Sequence, residues 1–153
     1  MPMRDSSGWE PTAFRTHTIG QIVDNGSDLL GSKVTLCGYA ETIRGRGAIA
    51  FVMIRDGTGH IQAFLKKDNM NEDSFASVQS ASRESTIQIS GLVAQKRPPK
   101  VADGEPTPPP EYEVQVESAN ILSMAGTPLP VGIIDEVNVG LDIRLDNRHL
   151  DLR

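Results

Sequence analysis

The four residues Asp56-Gly57-Thr58-Gly59 constrain the fold more than any other feature of the sequence. They separate two runs of strand-forming residues, 48–55 (AIAFVMIR) and 60–65 (HIQAFL). A glycine-containing turn between two such runs is typical of a β-hairpin. If Asp56 and Gly59 close the turn, the register of the two antiparallel strands follows directly. The pairs are then Arg55 with His60, Met53 with Gln62, and Phe51 with Phe64.

This register predicts two different surfaces, because side chains alternate between the two faces of a strand. One face is entirely apolar and is expected to form the core; it carries Ala50, Val52, Ile54, Ile61, Ala63 and Leu65. The other face mixes aromatic, amide and cationic groups; it carries Ile49, Phe51, Met53, Arg55, His60, Gln62 and Phe64. A mixed face of this kind is unusual for a surface that meets only solvent, and it is typical of a binding platform.

Further patterns extend the hairpin into a small barrel. Strand-forming runs occupy 33–40, 86–93 and 112–122, and Gly91 is expected to form a bulge. A short helix is predicted for 71–81 with Asn71 as its N-cap, and 19–30 is compatible with a short helix or a turn. The predicted fold is mainly β: a five-stranded OB-fold barrel with one short helix between the third and fourth strands, and an irregular C-terminal hinge segment. That fold often binds single-stranded nucleic acid.

The two ends of the chain and one internal segment lack these patterns. Residues 1–15 are predicted to be a disordered lead-in, 16–125 the barrel domain, and 126–153 a hinge. The hinge has too little apolar surface to fold alone, so we expect it to lead into a domain that this sequence does not contain. The proline-rich segment 97–110 is expected to be an exposed, mobile loop.

The charge distribution suits a small, specific contact with a polyanion better than general coating of nucleic acid. The formal net charge is −5, yet residues 33–67 hold six basic and two acidic side chains. A solvated strand edge protected by lysine and arginine explains the same local excess equally well. The lone cysteine, Cys37, fits a reducing compartment, and no apolar run is long enough to cross a membrane. A cytoplasmic location is therefore expected.

Signals for enzymatic or metal chemistry fail on position or spacing. The run 45–50 matches the dinucleotide pattern G-x-G-x-x-G/A, but it precedes a strand instead of opening a helix. The histidines His17, His60 and His149 do not have the spacing of metal ligands, and one cysteine cannot build a zinc site. No Ser/His/Asp grouping or glycine-rich phosphate loop is evident. The chain is therefore expected to be a binding domain.

The C-terminal run RLDNRHLDLR (144–153), preceded by TPLP (127–130), closely resembles the hinge of class IIb aminoacyl-tRNA synthetases, the aspartyl type above all. The hairpin 50–65 resembles the second and third barrel strands of the same family. The resemblance covers 16–153 and implies the N-terminal anticodon-binding domain of an aspartate–tRNA ligase. The parent enzyme would use ATP and Mg²⁺ to join aspartate to tRNA(Asp), normally as a homodimer. This chain lacks the family's ATP-binding and adenylate motifs, so we expect it to need no cofactor and to aminoacylate nothing.

The resemblance also implies roles for five residues. Phe51 matches the aromatic residue that stacks on the central anticodon base, uracil 35, and Gln62 matches the amide that hydrogen-bonds that base. Glu113 is similar to an acidic residue that reads the anticodon from the far side of the barrel. Arg44, in the loop before the second strand, is similar to an arginine near the first anticodon positions. Because that loop varies in length among relatives, Arg46 is the alternative.

Each of these residues also has a plainer interpretation. Phe51 could belong to a small apolar cluster under a loop, Gln62 and Glu113 could be solvated strand positions, and Arg44 and Arg46 could be loop charges. Alternatives for the whole chain are the same domain of an asparaginyl or lysyl enzyme, a general single-strand-binding OB protein, and a protein-interaction module. An anticodon reader prefers a loop containing GUC, a general binder shows little preference, and an interaction module leaves tRNA affinity at background.

Overall fold

The computed structural model describes residues 11–98, 108–131 and 139–152. Its centre is a closed barrel of five strands in the order β1-β2-β3-β5-β4. Neighbouring strands are antiparallel except for β3 and β5, which are parallel. The strands are β1 (Lys33–Arg46), β2 (Ile49–Arg55), β3 (His60–Lys66), β4 (Thr86–Gln95) and β5 (Tyr112–Ser123). The helices are α1 (Ile19–Leu29), α2 (Glu72–Gln79), α3 (Leu141–Asp146) and α4 (Arg148–Asp151), with a 3-10 turn at Lys67–Asn69. The predicted barrel with a helix between its third and fourth strands is confirmed.

The hairpin β2–β3 has the predicted register. The turn is closed by a 3.0 Å hydrogen bond from the Asp56 amide to the Gly59 carbonyl. All six apolar residues of the inner face are at most 3 % exposed, so that face is the core. The three predicted pairs, Arg55 with His60, Met53 with Gln62 and Phe51 with Phe64, are all present.

The core extends beyond the barrel into the first two helices. Ile19 and Ile22 of α1 and Phe75 and Val78 of α2 are buried with the inward residues of the strands. Each fully buried side chain of this size contributes about 1.5–3 kcal/mol relative to an exposed one. Asn71 caps α2 as predicted, since its side chain accepts a hydrogen bond from the Asp73 amide. Both helices therefore belong to the barrel's folding unit.

Helix α1 begins at a doubly capped N-terminus, and this settles the sequence ambiguity between helix and turn. Thr18 and Gln21 form a capping box in which each side chain accepts a hydrogen bond from the other's backbone amide. Thr58, in the β2–β3 turn, accepts a hydrogen bond of 2.8 Å from the Gly20 amide. The first amides of a helix have no partner within it, so these side chains stabilise α1 and fix it to the hairpin.

Strand β1 is longer than predicted. It continues past residue 40 to Arg46, and only Gly47 and Ala48 turn the chain into β2. Gly47 has a φ of 63°, the left-handed conformation that two-residue hairpin turns require. Arg44 and Arg46 are therefore strand residues, and their prediction as loop residues is wrong. The segment was predicted to be a loop because its own residues form no strand pattern, but pairing with β2 holds it extended.

The bulge predicted at Gly91 is confirmed, because the β4–β5 register shifts between Ser90 and Gly91. A Cβ atom at Gly91 would overlap the carbonyl oxygen of Gln115 on the neighbouring strand. Only glycine permits this close approach of the two backbones.

The segment after the barrel contains two short helices where an irregular hinge was predicted. Arg144 of α3 and Asp151 of α4 form an ion pair of 2.7 Å that ties the helices to each other. The predicted disorder of residues 1–10 and most of the predicted loop, 99–107, lie outside the described residues, and the domain boundaries stay predictions. Residues 11–15 are described, and the Gln88 amide nitrogen donates to the Phe14 carbonyl at 2.9 Å. None of the described helices is long and apolar enough to cross a membrane.

Candidate nucleic-acid interface

The outward face of β2, β3 and β5 forms one surface, here called the platform, which consists of Phe51, Met53, Gln62, Phe64 and Glu113. Met53 lies opposite Gln62 across the β2–β3 ladder, and Gln62 lies opposite Glu113 across the β3–β5 ladder. The platform therefore contains three of the residues that the resemblance singled out. Glu113 lies beside Gln62 and not on the far side of the barrel, because closure makes β5 the direct neighbour of β3.

Phe51 presents an aromatic surface to solvent while a second ring holds it in place. The residue is 40 % exposed. Its ring centroid lies 5.2 Å from that of the half-buried Phe64, and the two ring planes are inclined by 40°. A tilted aromatic pair stabilises its own geometry by about 0.5–1.5 kcal/mol. The ring is thus oriented without being covered, and an unpaired nucleobase can stack on a ring of this kind.

Gln62 and Glu113 are joined by a side-chain hydrogen bond. Nε2 of Gln62 donates to Oε2 of Glu113 at 2.9 Å, and both residues are half-buried. The amide oxygen and the second amide hydrogen of Gln62 have no protein partner among the described residues. A primary amide offers both a donor and an acceptor, so the remaining groups can bind the edge of a base.

A shallow cavity of about 300 Å³ lies against the platform. A volume of this size is at the lower end of the range for small-molecule sites and suits one base-sized group. Three predicted site residues from three different strands, Arg44, Phe51 and Gln62, line it together. The remaining lining residues are Glu41, Thr42, Met53 and His60.

Glu41 and Thr42 were not predicted as site residues. They reach the cavity next to an irregularity in β1, where the pairing with β2 shifts between Ala40 and Thr42. A bulge of this kind redirects side chains, and here no glycine marks its position in the sequence. Met53 and His60, in contrast, were placed on the mixed face by the hairpin register, although they were not assigned a role.

A second cavity, of about 400 Å³, adjoins the first. The two share Met53, His60 and Gln62, so the Gln62 side chain stands between the two openings. The second cavity also includes Lys96 and Tyr112. Lys96 is paired with Glu111 at 2.7 Å, and the Tyr112 ring packs against Gly26 of α1. The platform is therefore continuous with a groove that extends toward α1.

Arg44 and Arg46 lie where β1 turns into β2, and both are exposed. Arg44 is opposite Phe51, while Arg46 is opposite Ile49 at the tip of the hairpin. Neither arginine forms an ion pair with any residue that the structure describes. Cations without acidic partners are available to hold phosphates.

The neighbouring lysines differ from these arginines because they have acidic partners. Lys66 lies 3.4 Å from Asp68, and Lys67 lies 2.6 Å from Glu72. The hydrogen bond between Lys67 and Glu72 raises the pKa of the lysine and lowers the pKa of the glutamate. Among the described residues, the basic side chains at the end of β3 thus have acidic partners, whereas the two arginines beside the β1–β2 turn have none.

Arg55 lies on the mixed face of the hairpin, but its side chain binds other residues of the barrel. Its Nη2 contacts both carboxylate oxygens of Glu84, at 2.9 and 2.7 Å, and the Glu84 side chain is only 5 % exposed. The guanidinium carbon lies 5.5 Å from the centroid of the Tyr39 ring. This cation therefore stabilises the junction between β2 and the start of β4.

Metal ligands do not cluster in the described structure. Within residues 11–98, 108–131 and 139–152, no group of three or more His, Cys, Asp or Glu side chains could hold a metal ion.

The barrel matches a known family across most of its length. Residues 34–122 fit the model of the tRNA anticodon family, described as an OB-fold nucleic acid binding domain. The chain belongs to this family. The platform is thus an outward surface of a barrel whose family is described as binding nucleic acid. The resemblance stated from the sequence motifs is confirmed.

The OB-fold domain is similar to part of several aspartyl and asparaginyl synthetases. The aspartate–tRNA(Asp/Asn) ligase of Haloquadratum walsbyi is 40 % identical over 123 residues, which are 80 % of this chain and 26 % of that protein. An aspartyl-tRNA synthetase structure from Entamoeba histolytica matches with 26 % identity and a TM-score of 0.71, covering 100 % of this chain and 35 % of that one. An asparaginyl-tRNA synthetase structure from Pyrococcus horikoshii matches with 28 % identity and a TM-score of 0.70, covering 89 % and 29 %. The chain therefore spans about a quarter to a third of the length of these proteins.

Proposed function

We propose that this OB-fold domain binds the anticodon loop of tRNA(Asp) on behalf of an aspartate–tRNA ligase. The observation that carries the proposal is that Phe51 and Gln62 stand on one outward face and line one cavity. In this proposal the central anticodon base, uracil 35, leaves the loop's own stack, lies on the Phe51 ring and presents its edge to Gln62.

Some of the proposed contacts provide affinity for the RNA, and others provide selectivity for one base. Stacking on Phe51 contributes about 1–3 kcal/mol and accepts any base, because every base has a π-face. Hydrogen bonds between Gln62 and the base edge provide the selectivity among bases. Arg44 contacts a loop phosphate and sets the register of the RNA on the platform. With few phosphates contacted, binding by the domain alone is weak and decreases as salt is added.

The activity of the parent protein is a further part of the proposal, because the chain covers only 26 % of its Haloquadratum relative. The parent joins aspartate to tRNA(Asp) with ATP and Mg²⁺, acts as a homodimer, and carries a catalytic domain after the segment 126–153. None of the described residues is assigned to ATP or Mg²⁺. A tRNA partner accords with the cytoplasmic location expected from the sequence.

A second candidate is a domain that also serves asparagine tRNA. The similarity to an asparaginyl-tRNA synthetase of Pyrococcus horikoshii favours it. The anticodons GUC and GUU share their first two bases, so stacking on Phe51 and reading by Gln62 would serve both. Discrimination between the two tRNAs then depends on the third base.

Titration of the 153-residue chain with labelled RNA stem–loops, followed by fluorescence anisotropy, tests the proposal. The loops carry GUC, GUU or UUU, and an unstructured oligonucleotide of the same composition is the control. We expect GUC to bind more tightly than UUU and than the unstructured control. Equal affinity for all four RNAs would identify a general single-strand binder. Background affinity throughout would overturn a nucleic-acid function, and equal affinity for GUC and GUU would support the second candidate.

A further inference from the structure

We propose that Glu113 is a positioning residue that makes the platform distinguish uracil from cytosine. It does so by fixing which end of the Gln62 amide faces β5. The inference rests on the proposed function and deepens it, because it concerns how the same site selects its central base.

The chemistry of the contact fixes the amide. A carboxylate can only accept hydrogen bonds, so the end of the Gln62 amide that faces Glu113 must be the nitrogen. The distance of 2.9 Å from Nε2 to Oε2 is that of a charge-assisted hydrogen bond. Rotating the amide by half a turn would place its oxygen against a carboxylate oxygen. Because that rotation would break a charged hydrogen bond, the orientation with the nitrogen toward Glu113 is favoured by at least about tenfold.

The barrel topology holds the two side chains together. Gln62 and Glu113 are direct partners across the parallel β3–β5 pair, and on its other side Glu113 is opposite Ala94 of β4. Glu113 forms no ion pair with any described residue, so no cation draws the carboxylate away from Gln62. Both residues are half-buried, which limits competition from water.

The orientation of the amide matters because uracil and cytosine have nearly the same shape. Uracil presents an N–H donor at N3 beside the O4 acceptor, whereas cytosine presents an N3 acceptor beside its amino donor. A freely rotating amide can satisfy either edge by turning over, and the Phe51 ring stacks on both. An amide held in one orientation matches only one of the two edges. Glu113 thus converts a group that accepts both pyrimidines into one that selects between them.

Two other roles for Glu113 make different predictions. If the carboxylate itself bound the base, its removal would change base preference even when Gln62 is absent. If Glu113 only stabilised the barrel, its removal would weaken binding to every loop by the same factor. The ratio of affinities for uracil and cytosine at the central position, measured with and without Gln62, separates all three roles.

The experiment compares stem–loops GUC and GCC in anisotropy titrations of the 153-residue chain and its variants. The variants are Glu113→Gln, Gln62→Ala and the double variant, with Glu117→Gln as the control. Glu117 lies on the same strand, carries the same charge and pairs with Lys33 at 2.8 Å, away from Gln62. Comparison with this control separates the general effect of removing one negative charge near RNA from the loss of the hydrogen bond.

We expect the parent chain to prefer uracil by about 5- to 150-fold, the range for one bidentate base contact. Glu113→Gln should reduce this preference to less than about threefold, because a glutamine at 113 can donate or accept and no longer fixes the amide. Glu117→Gln should keep the parental preference. In the Gln62→Ala background, Glu113→Gln should leave the ratio unchanged. If thermal melting shows that Glu113→Gln does not fold, Glu113→Ala replaces it in the titrations. The same loss of preference for uracil is expected from Glu113→Ala.

Two results would overturn the inference while leaving the proposed function intact. They are a Glu113→Gln variant with the parental preference, and a Glu113 substitution that changes the ratio in the absence of Gln62. A parent chain that binds both loops equally would overturn the inference together with the proposed reading of the central base by Gln62. A parent chain that binds no loop would instead overturn the proposed function, and the inference with it.

Discussion

The carboxylate of Asp56 accepts a 3.0 Å hydrogen bond from the backbone amide of Ile19, although the two residues lie 37 positions apart. The other carboxylate oxygen accepts from the amides of Thr58 and Gly59, at 2.7 and 3.1 Å, and from the Thr58 hydroxyl at 2.6 Å. One side chain therefore holds both the β2–β3 turn and the start of α1. The turn that defines the hairpin register also attaches the first helix to the barrel.

Asp56→Ala is expected to destabilise the domain by about 2 kcal/mol, since it removes a helix cap and a side chain that closes a turn. Urea denaturation followed by circular dichroism measures the change in the free energy of unfolding. Asp68→Ala is the matched control, because Asp68 is exposed and has only a 3.4 Å contact with Lys66. Its effect should stay within about 0.5 kcal/mol. Equal effects of the two substitutions would contradict a capping role for Asp56.

Phe51→Ala is expected to weaken binding of the GUC loop by about 1–3 kcal/mol, because the base loses its stacking surface. Preference among the four central bases should change little, since stacking does not select. Anisotropy titration measures the affinity, and Phe14→Ala is the control. Phe14 is 59 % exposed but is not part of the platform. Unchanged affinity in Phe51→Ala would remove the stacking role.

Gln62→Ala is expected to relax discrimination at the central base more than it lowers affinity for all loops. The reason is that edge hydrogen bonds select the base whereas the ring and the cations bind any base. Titrations with all four bases at the central position measure the ranking. Gln115→Ala removes an exposed amide from the outward face of β5 and should leave the ranking intact. If the Gln62 variant and the parent rank the four bases alike, Gln62 does not read the base.

Arg44→Ala is expected to reduce the dependence of binding on salt. Removing a single phosphate interaction with single-stranded RNA lowers the slope of log K against log salt by about 0.7. Arg44 lines the cavity and lies opposite Phe51, so it should contribute more than Arg46 at the hairpin tip. Lys67→Ala is the control, since Lys67 is already paired with Glu72. An equal change of slope in the Arg44 and Lys67 variants would argue against a specific phosphate interaction.

The hairpin and its two faces could be predicted from the sequence because the information is local. The turn residues fix the register, and the register fixes which side chains share a face. The same reasoning failed for the segment 41–46, which was predicted to be a loop although the backbone continues as β1 to Arg46. Whether such a segment pairs depends on a partner strand, and its own residues do not reveal the partner.

The parts of the site that the sequence did not reveal depend on contacts between distant segments. Gln62 and Glu113 lie 51 positions apart, and only closure of the barrel makes them neighbours. Glu41 reaches the cavity beside a shift in strand pairing that no local residue type marks. The outward position of the Phe51 ring, in contrast, could be predicted from the alternation of side chains along β2.

The parallel pairing of β3 with β5 has a consequence for synthesis of the chain. Translation runs from the N-terminus, so Phe51 and Gln62 leave the ribosome before Glu113 is made. Until β5 arrives, the amide of Gln62 has neither its carboxylate partner nor a neighbouring strand on that side. An unfinished chain without β5 therefore lacks the contact that fixes the amide, and the orientation of the Gln62 side chain is set only when the barrel closes.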